Sequence, residues 1–418
     1  MSIFLYICRH IILKTNFSHM FKFIHTSDWH LGQIFYGYDR SEEQEDFLHQ
    51  LAGIVRKHQP DALLVSGDIF HTPAPSNATV SLYVKAMLEI HKACPTMSII
   101  VIAGNHDSAS RLDSDSPLWR LAGVTVLGGI ARKENGMADL ERHTINVGDK
   151  AIVAAVPFAY PSSFPQTGEE PLPADQRQQA YFQALLDHAN SANDEGLPVV
   201  LMAHLGVKGC DITGHDTIAM MEAVGVGTLG EGYDYAALGH IHRPQNLTSR
   251  ARYCGTPLAV SFDEQCEHSV SIVEIDHHGA EPVVQTKRIK NIKPLHTVPA
   301  DEPKEFEEAL KQLASLDPDE PAYIRLNVLV EQYLPTAAQE RTAMALADKA
   351  CRFCDIKKTL TTTPLQQTTQ MTLEEFHHKE PFDIANQYFK DMLGIEMNEQ
   401  QQEMFNHVYR LVKEGGRQ

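Results

Sequence analysis

The sequence has no excess of positive charge and no long apolar run, and both absences narrow the class of protein. Asp and Glu number 54 against 36 Lys and Arg, which gives a formal net charge of −18. This charge excludes a protein that coats nucleic acid or an anionic membrane through bulk electrostatics, although a local basic groove or bound divalent cations remain compatible with it. The apolar runs are too short for a membrane-spanning helix, so no membrane association is expected.

Cysteines are also few. There are seven, an odd number, and only Cys351 and Cys354 form a C-x-x-C pair. A zinc or redox site needs a second pair or nearby histidines, so buried free thiols are the better interpretation of this pair. Free thiols persist in a reducing compartment, and we therefore expect a cytoplasmic protein.

Changes of pattern along the chain predict its organisation. Residues 1–20 precede the first strand pattern and are interpreted as a leader that is disordered or not native to the protein. From 21 to 290, short apolar runs alternate with segments of helical period, which is typical of an α/β fold with buried strands. Residues 291–360 form a separate α+β pattern, 361–370 a Thr/Gln-rich linker, and 371–418 a set of amphipathic helices.

The small α+β region has the order helix, strand, helix, strand. Its helices are predicted over 301–316 and 336–354, and its strands over 322–330 and 355–360. The polar strand ends of the preceding region are absent from this pattern, so we do not expect it to supply metal ligands.

Five apolar runs end in side chains that can bind a metal ion. These side chains are Asp28 and His30 in "SDWH", Asp68 in "SGDIFH", Asn105 and His106 in "GNHD", His204 in "MAHLG", and His240 and His242 in "GHIH". The carboxyl ends of strands in an α/β sheet meet at one edge, so these side chains are expected to share one cleft. Glycines at 67, 104 and 239 let the backbones approach each other closely there.

The residue types indicate the chemistry of this cleft. Carboxylates, an amide oxygen and neutral imidazoles suit Mn²⁺, Fe²⁺ or Zn²⁺. These candidate ligands are too many for one ion and suit two ions that share a carboxylate. Such ion pairs stabilise the attacking and leaving oxygens of a displacement at phosphorus. The residues therefore predict phosphoester hydrolysis, and they leave the substrate open.

The motif order D-x-H, GD, GNH[DE], H and GHxH is the signature of calcineurin-like metallophosphoesterases, and residues 21 to about 280 resemble that family. The resemblance implies an α/β sandwich of two central sheets flanked by helices, as a nuclease domain over 21–290. It further implies that 291–360 is a capping domain beside the cleft and that 371–418 is a helical segment that binds a partner.

The resemblance also assigns roles to the motif residues. One ion would be bound by Asp28, His30, Asp68 and His242, and the second by Asp68, Asn105, His204 and His240. His106 would stay metal-free and act as the general acid for the leaving oxygen, with Asp107 orienting it. His71 would lie behind the ligands. Two Mn²⁺ ions are expected, with Mg²⁺, Fe²⁺ or Zn²⁺ as alternatives.

Flanking segments narrow the resemblance within the family. "HTSDWHLG", "ALGHIHRPQ" and "CGTPLAVSFDE" are similar to the nuclease subunits of a bacterial complex that processes DNA. The likeness implies a double-strand exonuclease and single-strand endonuclease that cuts DNA ends and hairpins in repair, recombination and replication. Its partner would be a coiled-coil ATPase, in a heterotetramer built on a homodimer. A stand-alone phosphodiesterase or nucleotide phosphatase is the alternative activity, and a metal-free scaffold is the alternative of another class.

Overall fold

The computed structural model describes most of the chain up to residue 361. The described residues are 20–191, 193–213, 223–361, 382–383, 385–386, 397–398, 401–406 and 409. The predicted leader (1–20), linker (361–370) and partner-binding segment (371–418) therefore lie almost wholly outside them. The chain divides into two compact units, residues 1–328 with 335–357 and residues 329–334 with 358–418.

Two six-stranded sheets form the centre of the first unit. The first sheet has the strands β1 (Phe21–Thr26), β4 (Ala62–Ser66), β5 (Ser98–Ile102), β6 (Val124–Leu127), β13 (Ser269–Ile275) and β14 (Val283–Arg288), in the order β14-β13-β1-β4-β5-β6. Strands β1, β4, β5 and β6 are parallel, and β13 and β14 pair antiparallel. The short hairpin β2 (Ile34–Phe35) and β3 (Tyr38–Asp39) follows β1 in the chain.

The second sheet also has four parallel strands, but it has one antiparallel strand at each edge. Its strands are β7 (Thr144–Val147), β8 (Ala151–Val156), β9 (Val199–His204), β10 (Tyr235–Gly239), β11 (Gln245–Asn246) and β12 (Ala251–Tyr253), in the order β11-β12-β10-β9-β8-β7. The four inner strands are parallel. At the two edges, β7 pairs antiparallel with β8, and β11 pairs antiparallel with β12.

Helices cover the outer face of each sheet. They are α1 (Ser41–His58), α2 (Asn77–Ala93) and α3 (Ala109–Leu121) on the first sheet and α4 (Ala174–Ser191) on the second. Between the sheets lies a separate apolar layer that includes Phe23, Ile100, Val153 and Met202. Each central strand is thus buried on both faces, which explains its unbroken apolar run. The predicted sandwich of two sheets flanked by helices is confirmed.

Helix α1 shows how the sequence pattern determines this packing. Phe47, Leu48, Leu51 and Val55 recur at helical spacing, and all four are buried against the first sheet. Burying side chains of this size contributes about 1.5–3 kcal/mol each. The helix ends at His58 because Gln59 adopts the left-handed conformation, with φ of 44°.

The region 291–360 forms a smaller sheet with two helices. Its elements are β15 (Leu295–Val298), β16 (Lys304–Glu305), α5 (Phe306–Ala314), β17 (Tyr323–Val330), α6 (Ala338–Ala345) and β18 (Arg352–Leu360), and β17 pairs with each of the other three strands. Among the residues that the structure describes, no helix combines the length and the apolar character that crossing a membrane requires.

The second helix of this region is shorter than the sequence pattern predicts. The helix expected over 336–354 ends at Ala345, and its expected last residues belong to β18. Lys349 Nζ donates to the carbonyls of Ala314 and Leu316, at 3.2 and 2.5 Å, just beyond the end of α5. These contacts turn the chain back across α5, so helical period alone misplaced the boundary.

We expect the substitution Gly53→Ala to stabilise the fold. Gly53 lies inside α1, and no atom lies within 4 Å of the position a Cβ would take. Alanine reduces the conformational entropy of the unfolded chain without a clash, which is worth about 0.5–1 kcal/mol. The check is a thermal melting midpoint above that of the wild type. As a control, Gly239→Ala should lower it, because its Cβ would lie 1.9 Å from the Ser66 carbonyl oxygen.

Candidate metal centre

The predicted ligands follow the carboxyl ends of five strands from both sheets. Strands β1, β4 and β5 lead to Asp28, Asp68 and Asn105, while β9 ends in His204 and β10 leads to His240. Hydrogen bonds connect the two sheets at this edge, because the Ser66 hydroxyl donates to a carbonyl of β10 at 3.0 Å. The structure therefore brings the motif residues into one cleft.

The backbone at this edge is strained. Four predicted ligands have left-handed backbone conformations, Asp28 (φ 54°), His30 (46°), Asp68 (51°) and His240 (100°). Each such non-glycine conformation costs on the order of 1–3 kcal/mol and persists only where the surroundings enforce it. Here the amides of Asp28 and His30 donate to the carbonyls of Gly67 and Asp68, at 2.9 and 3.0 Å. Strain held in this way is typical of functional sites.

One group of ligand atoms surrounds the His30 ring. His30 Nε2 lies 3.1 Å from His242 Nε2 and 3.8 Å from Asp68 Oδ2. Potential ligand atoms of Asp28, His30 and His242 all lie within 4.8 Å of one another. The four residues predicted to bind the first ion thus lie near one another, three of them with ligand atoms in one group and Asp68 beside His30.

A second group lies on the other side of Asp68. His204 Nε2 is 3.5 Å from Asp68 Oδ2 and 2.9 Å from Asn105 Oδ1. His240 Nδ1 is 3.0 Å from the same Asn105 oxygen. Asp68 Oδ2 therefore lies between His30 and His204, which is the position a bridging ligand requires. Asp28 also lies close to both groups, because its potential ligand atom is within 4.8 Å of those of Asp68 and His204.

The donor set fits divalent cations. Asp28 and Asp68 are 0% and 1% exposed, and their described contacts are to imidazoles, a hydroxyl and backbone amides. Buried carboxylates without positive charge are costly, so bound cations would supply the missing compensation. Oxygen and imidazole nitrogen ligands suit Mn²⁺, Fe²⁺ or Zn²⁺.

Neighbouring groups fix the orientation of two ligand rings. His204 Nδ1 pairs with the Ser66 carbonyl at 2.8 Å, which leaves Nε2 for the cleft. His242 Nδ1 pairs with Glu264 Oε1 at 2.9 Å. Carboxylates and carbonyls behind metal-binding histidines set the tautomer and raise the basicity of the ligand. The sequence pattern had missed Glu264, since it follows no strand end and carries no spacing signal.

The His106 ring lies beside both groups. Its Nδ1 pairs with the His71 carbonyl at 2.9 Å, which leaves Nε2 to meet a substrate. Its backbone amide donates to Asp68 Oδ1 at 2.8 Å, so the residue is anchored to the shared carboxylate. The His71 ring stacks on the His106 ring with centroids 5.7 Å apart. Both histidines therefore lie next to the ligands, as expected.

Asp107 has a different task from the predicted one. Its carboxylate accepts hydrogen bonds from the backbone amides of Gly104, Ile69 and Phe70, at 2.8, 3.1 and 2.9 Å. The His106 ring is oriented by the His71 carbonyl instead. Asp107 therefore joins the loop after β4 to the loop after β5, and it acts on the site through the backbone.

The surroundings shift the pKa values of two predicted ligands, His30 and His242, in opposite directions. Burial, reinforced by neighbouring imidazoles, lowers the pKa of His30 well below its usual range. Burial also disfavours the charged form of His242, yet its hydrogen bond to Glu264 and the nearby Asp28 and Asp68 carboxylates raise its pKa to about 9. Without metal, His30 is therefore neutral at pH 7 and His242 is protonated.

Metal binding at pH 7 should consequently release a proton from His242. The ring must be neutral to bind a cation, so the apparent affinity should rise about tenfold per pH unit until pH 9 and then level off. Calorimetric titration with Mn²⁺ in buffers of different ionisation enthalpy counts the protons released. Glu264→Gln removes the main cause of the raised pKa and should reduce that count. Equal proton release by both proteins would contradict this assignment.

Two protein-family models match the chain, calcineurin-like phosphoesterase over residues 21–244 and type 5 capsule protein repressor C-terminal domain over residues 291–392. The chain is 35% identical to the SbcD subunit of the SbcCD nuclease of Rhodobacter capsulatus over 270 residues, 61% of this chain and 66% of that protein. The SbcD subunit of Bacillus subtilis is 31% identical over 66% of this chain and 71% of its own. The SbcD subunit of Escherichia coli strain K12 is 27% identical over 75% and 79%.

Proposed function

Because this chain belongs to the calcineurin-like phosphoesterase family and within it to the SbcD proteins, we propose that it hydrolyses phosphodiester bonds in DNA as the nuclease subunit of an SbcCD-type complex. The observation that carries the proposal is the convergence of two groups of metal ligands on Asp68. In this role it would act as a double-strand exonuclease and single-strand endonuclease on DNA ends and hairpins.

The cofactor we propose is a pair of Mn²⁺ ions, with Mg²⁺, Fe²⁺ or Zn²⁺ as alternatives. The first would be bound by Asp28, His30, Asp68 and His242, and the second by Asp68, Asn105, His204 and His240. Ions bound there supply the charge that stabilises the attacking and leaving oxygens of an in-line displacement at phosphorus. This pairing also accounts for an acidic protein that acts on a polyanion.

The protein's own groups position the proton donor. The hydrogen bond from His106 Nδ1 to the His71 carbonyl requires the proton on Nδ1 and fixes the ring, so that Nε2 would donate a proton to the leaving oxygen from the doubly protonated imidazolium form. The hydrogen bond from the His106 backbone amide to Asp68 keeps the proton donor at a constant position relative to the shared carboxylate. Asp107 keeps the two loops together, so the donor and the bridging ligand move as one piece.

The proposed partners are DNA and an SbcC-like coiled-coil ATPase. We assign ATPase binding to the segment 371–418, which the sequence predicts to be helical, and DNA access to the predicted capping domain 291–360, and we infer a homodimer within a heterotetramer. A cytoplasmic location fits the free thiols of the described cysteines. A partner that grips DNA would relieve this chain of the need for a basic surface.

A substrate comparison tests the proposal. The full chain, alone and with its ATPase partner, is incubated with Mn²⁺ and either labelled hairpin DNA or a nucleotide monoester. We expect hairpin cleavage that depends on Mn²⁺ and is greater with the partner and ATP. Hydrolysis of the monoester alone would instead favour the phosphatase alternative, and no turnover with either substrate would favour a scaffold.

Two substitutions should separate metal binding from proton donation. Asp68→Asn should abolish turnover and the binding of two ions, because the shared carboxylate is lost. His106→Ala keeps the backbone amide that contacts Asp68, so it should retain two ions and lose about 10²–10⁴-fold in rate. Metal content after dialysis and single-turnover rates provide the readouts. Loss of metal from His106→Ala would show that His106 is a ligand.

A further inference from the structure

A loop holds Glu264 in place behind the ligand His242. Residues 259–264 follow β12, and we name them the Glu264 loop. One carboxylate oxygen of Glu264 accepts from His242 Nδ1 at 2.9 Å, and the other accepts from the Val260 amide at 3.2 Å. The carboxylate is thereby tied to its own loop. The position of the loop backbone consequently sets the position of the His242 ring.

Arg40 holds the Glu264 loop from the side of α1. Its side chain is 1% exposed, and its Nη1 donates to the Ala259 carbonyl at 2.6 Å and to Gln33 Oε1 at 2.8 Å. Gln33 in turn donates to the Val260 carbonyl at 3.1 Å. A buried guanidinium is costly unless it is paired, and the Glu43 carboxylate 3.7 Å away supplies the opposite charge.

Strand β17 holds the same loop from the other side. Arg325 Nη2 donates to Asp263 Oδ1 at 2.8 Å. Two residues earlier, the Tyr323 hydroxyl donates at 2.7 Å to Glu43, the carboxylate that faces Arg40. Glu43 thus contacts both Arg40 and Tyr323, which lies on the same strand as Arg325. The two arginines also both contact the Glu264 loop. A continuous set of contacts runs from β17 to His242.

Packing alone does not fix the loop. A cavity of about 900 Å³ lies beside it, lined by Ala259, Ser261 and Glu264 of the loop and by Asn291 and Thr297 among others. Phe262 of the loop packs against Phe35 and Tyr323. Because the loop has open space on the cavity side, its position also depends on the hydrogen bonds and ion pairs made by the two arginines.

We propose that Arg40 and Arg325 are positioning residues, which fix His242 as a metal ligand through the Glu264 loop. The position of β17 would then govern the affinity of the ion that His242 binds. This inference rests on the proposed metal ligation by His242. It adds a structural coupling between the small sheet and the metal centre, so that a displacement of that sheet changes metal occupancy.

Arg40→Lys tests the inference in the full-length chain. Lysine keeps the charge next to Glu43, but a single ammonium group does not reproduce the planar, multi-donor geometry with which Arg40 bonds the Ala259 carbonyl and Gln33. We expect calorimetry with Mn²⁺ to show roughly tenfold weaker binding of one ion and unchanged binding of the other. Arg341→Lys is the matched control. Arg341 also pairs with a carboxylate, that of Glu307, and its guanidinium lies 4.9 Å from the centre of the Phe306 ring. None of its described contacts is to the Glu264 loop.

A double-mutant cycle separates positioning from a general loss of stability. If Arg40 acts through Glu264, Arg40→Lys should cause no further loss of affinity in a Glu264→Ala background, in which the loop no longer contacts His242. Additive losses, or wild-type affinity in Arg40→Lys, would overturn the inference. If Arg40→Lys does not fold, Asp263→Ala decides, because that carboxylate is half-exposed and the substitution removes its contact with Arg325 without opening the core. Weaker binding of one ion supports the inference, and unchanged binding overturns it. A wild-type chain that binds fewer than two ions would contradict the proposed function instead.

Discussion

The buried carboxylate of Asp68 is the group on which the rest of the site depends. Its Oδ2 lies 3.8 Å from His30 Nε2 and 3.5 Å from His204 Nε2, while its Oδ1 accepts the His106 amide at 2.8 Å. Both groups of predicted ligands and the predicted proton donor His106 are therefore placed relative to one side chain. The left-handed backbone of Asp68 and the absence of a side chain at Gly104, where a Cβ would lie 2.1 Å from Oδ1, make this arrangement possible.

The packing of the two sheets is the second requirement. The first sheet provides Asp28, Asp68 and Asn105, and the second provides His204 and His240. The Ser66 residue at the end of β4 connects them, since its carbonyl pairs with His204 and its hydroxyl donates to β10. Each sheet alone carries half of a site. The apolar layer between the sheets thus has a catalytic consequence, because it sets the distance between the two halves.

Sequence patterns predicted the parts of this molecule that follow from local chemistry. Apolar runs that end in ligand-type side chains identified the strands, the cleft and its residues, because strand ends in an α/β sheet share an edge. Glu264 gave no such signal, since only the fold brings it to His242, 22 residues away. Asp107 looked like a partner of its neighbour His106, whereas the pairing of β4 with β5 presents it with backbone amides. The end of α6 depended on contacts of Lys349 that helical period does not contain.

We propose that Asp68 is a ligand shared by two ions and that His106 lies outside both. Diffraction from Mn²⁺-soaked crystals of the full chain, recorded at the manganese absorption edge, tests this claim directly. We predict two anomalous peaks about 3.5–4 Å apart, one on each side of the Asp68 carboxylate. A single peak, or a peak with His106 as a ligand in place of Asp68, would contradict it.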